Sequence, residues 1–160
     1  MTALTEISLN RPGKLFRSVM PFSNFDRLGE VWAAYQVNRV STVVVLTEKQ
    51  EYLVRARRDL PEFYRQAGLD VIAYPIRDYH TPDDLDGLDV ALKTVATHLT
   101  AGRNVALHCM AGIGRTGTFL ACLAKRVLNL DGRAAIDWVR SYIPEALENE
   151  EQENFVLNFT

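Results

Sequence analysis

The stretch from Asn104 to Leu128, NVALHCMAGIGRTGTFLACLAKRVL, decides how this chain folds. NVALH is a short apolar run that reads as a core strand, and TFLACLAKRVL is apolar enough for a buried helix. Between them the backbone must turn sharply, and Gly112 and Gly114 are the residues expected to take the positive φ values that point successive N–H groups inward. Met110, Ala111, Gly112, Ile113, Gly114 and Arg115 then form an anion cradle. The helix N-terminus adds partial positive charge at the same spot, and the forked guanidinium of Arg115 suits a tetrahedral oxyanion. The expected guest is phosphate-sized.

Cys109 stands at the centre of that cradle. Inward N–H groups, a helix dipole and an arginine all favour thiolate over thiol, as at other helix N-termini where cysteine pKa falls to roughly 3.5–7.5. A nucleophile charged in advance and facing a phosphorus needs no adjacent base to form a phosphocysteine. The hydroxyl of Thr116 is placed to donate to the sulfur and ease its later departure, and His108 is read as fixing the loop through its ring nitrogens. A glycine-rich turn around an inert cysteine would leave Arg115 and both glycines without a purpose.

Outward from this motif, EISLN and LFRSVM flank RPGK and predict an opening hairpin. Phe25, Leu28, Trp32, Tyr35 and Gln36 recur at helical spacing, and STVVVL follows as a buried strand. Thr47 with Gln50 predicts a capping box on a helix through about Arg58, Pro61 starts a short helix that Gly68 ends, and DVIAYPI reads as a second buried strand. Leu85, Leu88, Leu92, Val95, Ala96 and Leu99 mark an amphipathic helix closed by Gly102, and RAAIDWVRSY and NEEQENFVLNF supply two more. The prediction is an α/β fold: a central, mostly parallel sheet of about five strands flanked by helices, with ligands gathering at the carboxyl ends of the strands.

The chain of 160 residues fits one domain, 1–160, able to bury about two-thirds of its unfolded surface. With 18 basic and 20 acidic residues its net charge is −2, too small for a field that would draw it to nucleic acid or an anionic membrane. Nothing approaches the roughly 18 apolar residues of a membrane span, and the N-terminus lacks a signal-like apolar run, so a cytoplasmic monomer is expected. Cys109 and Cys122 fall near one continuous element, which disfavours a structural disulfide and suits a reducing compartment.

A departing alkoxide or phenoxide needs a proton, which points to a carboxylic acid near the cradle. Of Asp78, Asp83, Asp84, Asp86 and Asp89, the pair Asp83 and Asp84 sits at a helix start, where capping and the dipole hold a carboxylate ionised. Asp78 instead follows the strand ending in YPI, at the sheet edge from which Cys109 emerges. The run His-Cys-x5-Arg-Thr resembles the signature of the cysteine-dependent protein tyrosine phosphatase superfamily, in its compact dual-specificity form. That resemblance implies a general acid on a loop of the form Pro-Ile-x-Asp, which here is Asp78, 31 residues before Cys109. It implies hydrolysis of phosphotyrosine, with phosphoserine and phosphothreonine as further substrates, on a phosphorylated protein or peptide and without metal or other cofactor.

The resemblance also allows Gln152 to position the hydrolytic water, though Asn149 and Gln152 equally make an ordinary capping pair. His80 is read as a solvated loop histidine, with substrate contact as the alternative, and His98 is given no catalytic role; Cys122 is read as a buried hydrophobe, and Glu145, Glu148, Glu150, Glu151 and Glu153 as a solvated acidic face. Phosphoinositide-directed relatives carry lysine or arginine among the variable cradle positions; here there is none, so a phosphoinositide or inositol phosphate substrate is the alternative, with Arg77, Arg103 or Arg140 as outside sources of charge.

Overall fold

The computed structural model describes residues 3–160. Five strands form one sheet in the order β1-β2-β5-β3-β4: β1 (Thr5–Ile7), β2 (Leu15–Ser18), β3 (Val40–Val45), β4 (Asp70–Ala73) and β5 (Asn104–His108). The opening pair is antiparallel, with Thr5 opposite Arg17, and every other pairing is parallel. Among the described residues seven helices are interleaved with the strands: α1 (Glu30–Val37), α2 (Lys49–Arg55), α3 (Leu60–Gln66), α4 (Leu85–Thr100), α5 (Gly114–Val127), α6 (Gly132–Tyr142) and α7 (Glu150–Asn158). No helix among the described residues is long and apolar enough to cross a membrane.

Strand periodicity divides the core in two. Val105 and Leu107 of β5, with Cys109 just past it, join the apolar cluster under α4–α7, while Ala106 faces the cluster of Tyr35, Tyr64 and Trp32 on the other side. Val44 and Val43 of β3 split the same way. Both faces are covered, which is why the parallel strands read as unbroken apolar runs.

Three local expectations need correction. The first helix begins at Glu30 rather than near Phe25, because the Asp26 carboxylate accepts N–H bonds from Phe22, Glu30 and Val31 and fixes a turn in place of helix. Phe25 and Leu28 are thereby left 52% and 82% exposed. The capping box on α2 is Glu48 with Glu51, not Thr47 with Gln50, and the helix ends at Arg55. DVIAYPI is an edge strand rather than a buried one: the ladder closes at Ala73 and Pro75 follows, although Tyr74 still donates to Val45 at the end of β3 and Ile76 to Leu46 just past it.

The four strands β2 to β5 point their carboxyl ends to the same edge. That edge delivers Arg17 from β2, the start of α2 from β3, Asp78 beyond β4 and Cys109 beyond β5.

Candidate active site

Between His108 and Gly114 the chain makes the expected turn. Gly112 has φ +74°, and a Cβ there would lie 2.5 Å from the Ser18 carbonyl oxygen, so both conformation and space call for glycine. Gly114 departs from expectation: it is not at positive φ, and its missing side chain leaves room instead for the Glu148 carboxyl, which a Cβ would meet at 2.2 Å. The turn is braced from outside by Arg17, whose Nε donates to the Gly112 carbonyl at 3.0 Å, and by Met20, whose N–H donates to Met110. Gly117 N–H makes the first bond of α5, to Ile113, so the N–H groups of Gly114, Arg115 and Thr116 have no partner within the helix.

Cys109 Sγ accepts the Gly112 N–H at 3.3 Å and is 3% exposed. Thr116 does not donate to it as expected; its Oγ1 is buried without a hydrogen bond. His108 is locked on both nitrogens, Nδ1 against the Cys109 carbonyl at 3.0 Å and Nε2 against the Tyr64 hydroxyl at 2.9 Å. Burial lowers its pKa to about 4, helped by the charge of Arg115 and opposed by its bond to the Cys109 carbonyl. A neutral, fixed imidazole matches a loop-holding role.

Arg115 is 2% exposed, and its donors are largely assigned. Nη1 donates to Glu51 Oε2 at 2.8 Å and to the Ile76 carbonyl at 3.0 Å; Nη2 donates to Glu51 Oε1 at 2.9 Å and pairs with Asp78 Oδ1 at 3.0 Å. The fork thus faces Glu51 of α2, and Nε–H is the donor left over. Burial alone would lower the guanidinium pKa, but the Glu51 hydrogen bonds and the charges of Cys109, Glu51 and Asp78 together raise it.

Asp78 lies where the sequence placed it, on a loop past β4, and shares with Cys109 a small cavity of about 70 Å³ also lined by Phe25, Tyr79, Arg115 and Glu148. That cavity opens beside a groove of about 520 Å³ bordered by Phe25, Arg55, Arg77, Tyr79 and Met110. A roomier cavity of about 610 Å³, lined by Thr81, Leu85 and residues of α4, α5 and α7, contains none of these groups. Gln152 is fully buried and both ends of its amide are bonded: its Oε1 accepts the Glu148 N–H at 2.8 Å and its Nε2 donates to the His80 carbonyl at 3.3 Å. Asn149 adds a bond to the Tyr79 carbonyl at 2.8 Å while capping α7 on Gln152. The two side chains strap the loop bearing Asp78 to the last helix.

Glu51, Arg17 and Tyr64 belong to the site although sequence reasoning does not single them out, and Glu148 lines the cavity rather than lying on a solvated face. For Glu51 a signal existed, since a buried arginine demands a carboxylate and Glu51 follows β3 at the same sheet edge. Of the acidic face, Glu153 pairs with Arg140 and Glu151 with His80, so only Glu148 turns into the cavity. Cys122 is fully buried, and burial pushes its thiol up to about 12, so it is the inert hydrophobe expected. His98 bonds Thr42 at the opposite sheet edge.

The chain resembles tyrosine-protein phosphatase cdc-14 of Caenorhabditis elegans, 30% identical over 74% of this chain but 15% of the nematode protein. It also resembles a phosphatidylglycerophosphate phosphatase of Arabidopsis thaliana, 28% identical over 68% of this chain and 31% of the plant protein. The chain thus spans a minor share of both relatives. Kinase-associated phosphatase, solved with its catalytic-site cysteine changed to serine, superposes with a TM-score of 0.87 at 22% identity, covering 98% of this chain and 92% of that one, which shows a shared fold. Residues 25–127, well over half the chain and including Asp78, Cys109 and Arg115, match the family model described as a polymorphic toxin system, DSP-PTPase phosphatase. A cysteine cradle between strand and helix, an aspartate on the neighbouring loop and a match of this extent place the chain in the compact dual-specificity branch of the cysteine-dependent protein tyrosine phosphatases.

Proposed function

We propose that this chain hydrolyses phosphotyrosine in proteins or peptides, and phosphoserine or phosphothreonine more slowly, through a phosphocysteine at Cys109. The observation that carries this reading is the meeting of a buried thiol, an N–H donor on its sulfur, a guanidinium and a carboxyl in one phosphate-sized cavity. Cys109 Sγ attacks phosphorus as the ester P–O bond breaks, and Asp78 gives the leaving oxygen its proton. Cradle N–H groups from Met110 to Arg115 and the Arg115 guanidinium take up the charge on the equatorial oxygens, so the chemistry asks no metal for countercharge. Water then attacks phosphorus, the S–P bond breaks, and Asp78 receives the water proton.

Arg115 presents two adjacent donors to a phosphate once Asp78 gives up Nη2, which leaves Nε and Nη2 for the oxyanion while Glu51 keeps its grip. Phe25 and Tyr79, 52% and 62% exposed on the cavity rim, offer an aromatic ester two apolar walls, which favours phosphotyrosine. A reducing, cytoplasmic setting and action as a monomer complete the reading, because an oxidised Cys109 cannot attack. The test is hydrolysis of a phosphotyrosine peptide with chelator present and its loss in Cys109→Ser; a wild type without turnover overturns the proposal.

One observation favours the alternative, an inositol phosphate or phosphoinositide. Arg103 and Arg140 are committed elsewhere, to Asp70 and Glu153, but Arg77 and Arg55 border the groove with no ion pair among the described residues. Such cations suit a second phosphate. Rates on a phosphotyrosine peptide and an inositol bisphosphate, measured side by side, separate the two substrates.

A further inference from the structure

Glu148 is the one carboxyl of the acidic C-terminal face that lines the cavity holding Cys109 and Arg115. Its placement is built. A Cβ on Gly117 would come within 2.8 Å of Ala146, so α5 and the segment before Glu148 approach as closely as backbones allow. The buried Gln152 amide then holds Glu148 N–H, and Leu147 takes φ +67°, a conformation unfavourable for a leucine, to turn the next residue inward. On the opposite wall Tyr79, directly after Asp78, carries the same kind of positive φ, +63°. Two strained turns therefore present two carboxyls to one small cavity.

Their surroundings differ. Asp78 is ion-paired with Arg115 at 3.0 Å, whereas Glu148 has no ion pair or side-chain hydrogen bond among the described residues. The titratable and charged groups around Glu148 are Asp78 and Tyr79 from the acid loop and Cys109 and Arg115 from the cradle. Partial burial raises the Glu148 pKa, the negative charge of Asp78 raises it further, and Arg115 opposes both. Glu148 is thus a carboxyl in this cavity disposed to hold a proton and free of any bond to the guanidinium.

We propose that Glu148 is a second general acid–base of the phosphatase, sharing with Asp78 the proton that the leaving oxygen needs. This rests on the phosphatase reading above. As the ester P–O bond breaks and Sγ–P forms, the leaving oxygen takes the proton from the Glu148 carboxyl, which becomes carboxylate. When water attacks phosphorus and Sγ–P breaks, that carboxylate recovers a proton from the water. Either carboxyl can serve, so losing one leaves part of the acid catalysis in place.

The test is a leaving-group series, from para-nitrophenyl phosphate, whose phenolate departs unaided, to phenyl phosphate, which needs a proton. It is run on wild type, Glu148→Gln, Asp78→Asn and the double variant, each checked for an unchanged melting temperature. Glu148→Gln should slow phenyl phosphate roughly 10- to 100-fold and the nitrophenyl ester less than about threefold, with the double variant slower on phenyl phosphate than either single one. The pH profile of Glu148→Gln on phenyl phosphate should also change shape. A Glu148→Gln enzyme slowed equally on every ester, or a double variant no slower than Asp78→Asn, overturns the proposal and leaves the phosphatase reading intact. A wild type inactive on the whole series overturns both.

Discussion

Removing the Glu51 side chain tests how Arg115 is held. In wild type the guanidinium is 1% exposed at its side chain, and Glu51 takes two of its donors at 2.8 and 2.9 Å. Glu51→Ala leaves that buried cation with Asp78 and the Ile76 carbonyl alone. Deleting one partner of a buried pair costs about 3–5 kcal/mol, and because Glu51 keeps 18% exposure, which admits water to the gap, the low end applies, about 3 kcal/mol. For a chain of this size that corresponds to a fall in melting temperature of roughly 6–12 °C. Urea unfolding followed by circular dichroism should show the midpoint falling with an unchanged slope. In parallel, kcat on an aryl phosphate should drop at least about tenfold, since the fork no longer has a fixed orientation. Glu51→Gln, which keeps the shape and one acceptor, should fall between. A Glu51→Ala protein within about 1 kcal/mol of wild type and with normal kcat refutes the view that this pair positions the catalytic cation.

Other predictions come from the same geometry. His108 titrates near 4 in the fold against an ordinary 6.5, so above pH 6.5 it is neutral folded or unfolded and costs nothing, while between 6.5 and 4 the unfolded chain alone gains a proton. Stability should therefore decline by about 3 kcal/mol across that window, and a folded His108→Asn variant should lose this slope; an unchanged slope would contradict it. Gly112→Ala forces positive φ on alanine and a contact of 2.5 Å with Ser18, so phosphate affinity by calorimetry should fall at least about tenfold, and normal affinity would show that the cradle tolerates a side chain. Gln152→Ala cuts the strap between Glu148 and the His80 carbonyl, so hydrogen exchange in residues 77–82 should speed up and kcat fall with little change in KM. Protection equal to wild type there would mean that Asn149 suffices.

What could be read from the sequence follows from how local each signal is. The cradle lies within ten contiguous residues, and strand, turn glycine and helix start all point the same way, so Cys109, Gly112 and Arg115 were legible without tertiary knowledge. Asp78 was legible through its place after a strand at the right sheet edge. The residues that escaped act across long sequence distances. Glu51 meets Arg115 from 64 positions away and Tyr64 meets His108 from 44, contacts that only the sheet order β5-β3-β4 brings about. Thr116 and Gln152 stand out in the sequence, but where a side chain finds a partner depends on directions that spacing does not specify: the Thr116 hydroxyl finds none, and the Gln152 amide bonds Glu148 and His80. The false helix start at Phe25 arose because one carboxylate, Asp26, outcompetes helical periodicity by taking three N–H groups.

The central claim concerns one sulfur atom, and acid quenching during turnover of a phosphotyrosine peptide, followed by mass spectrometry of the digested chain, tests it most directly. A single phosphoryl group on the peptide bearing Cys109, absent from the one bearing Cys122, is the predicted result. Full turnover with Cys109 never phosphorylated, or with the phosphoryl group on another residue, would contradict it.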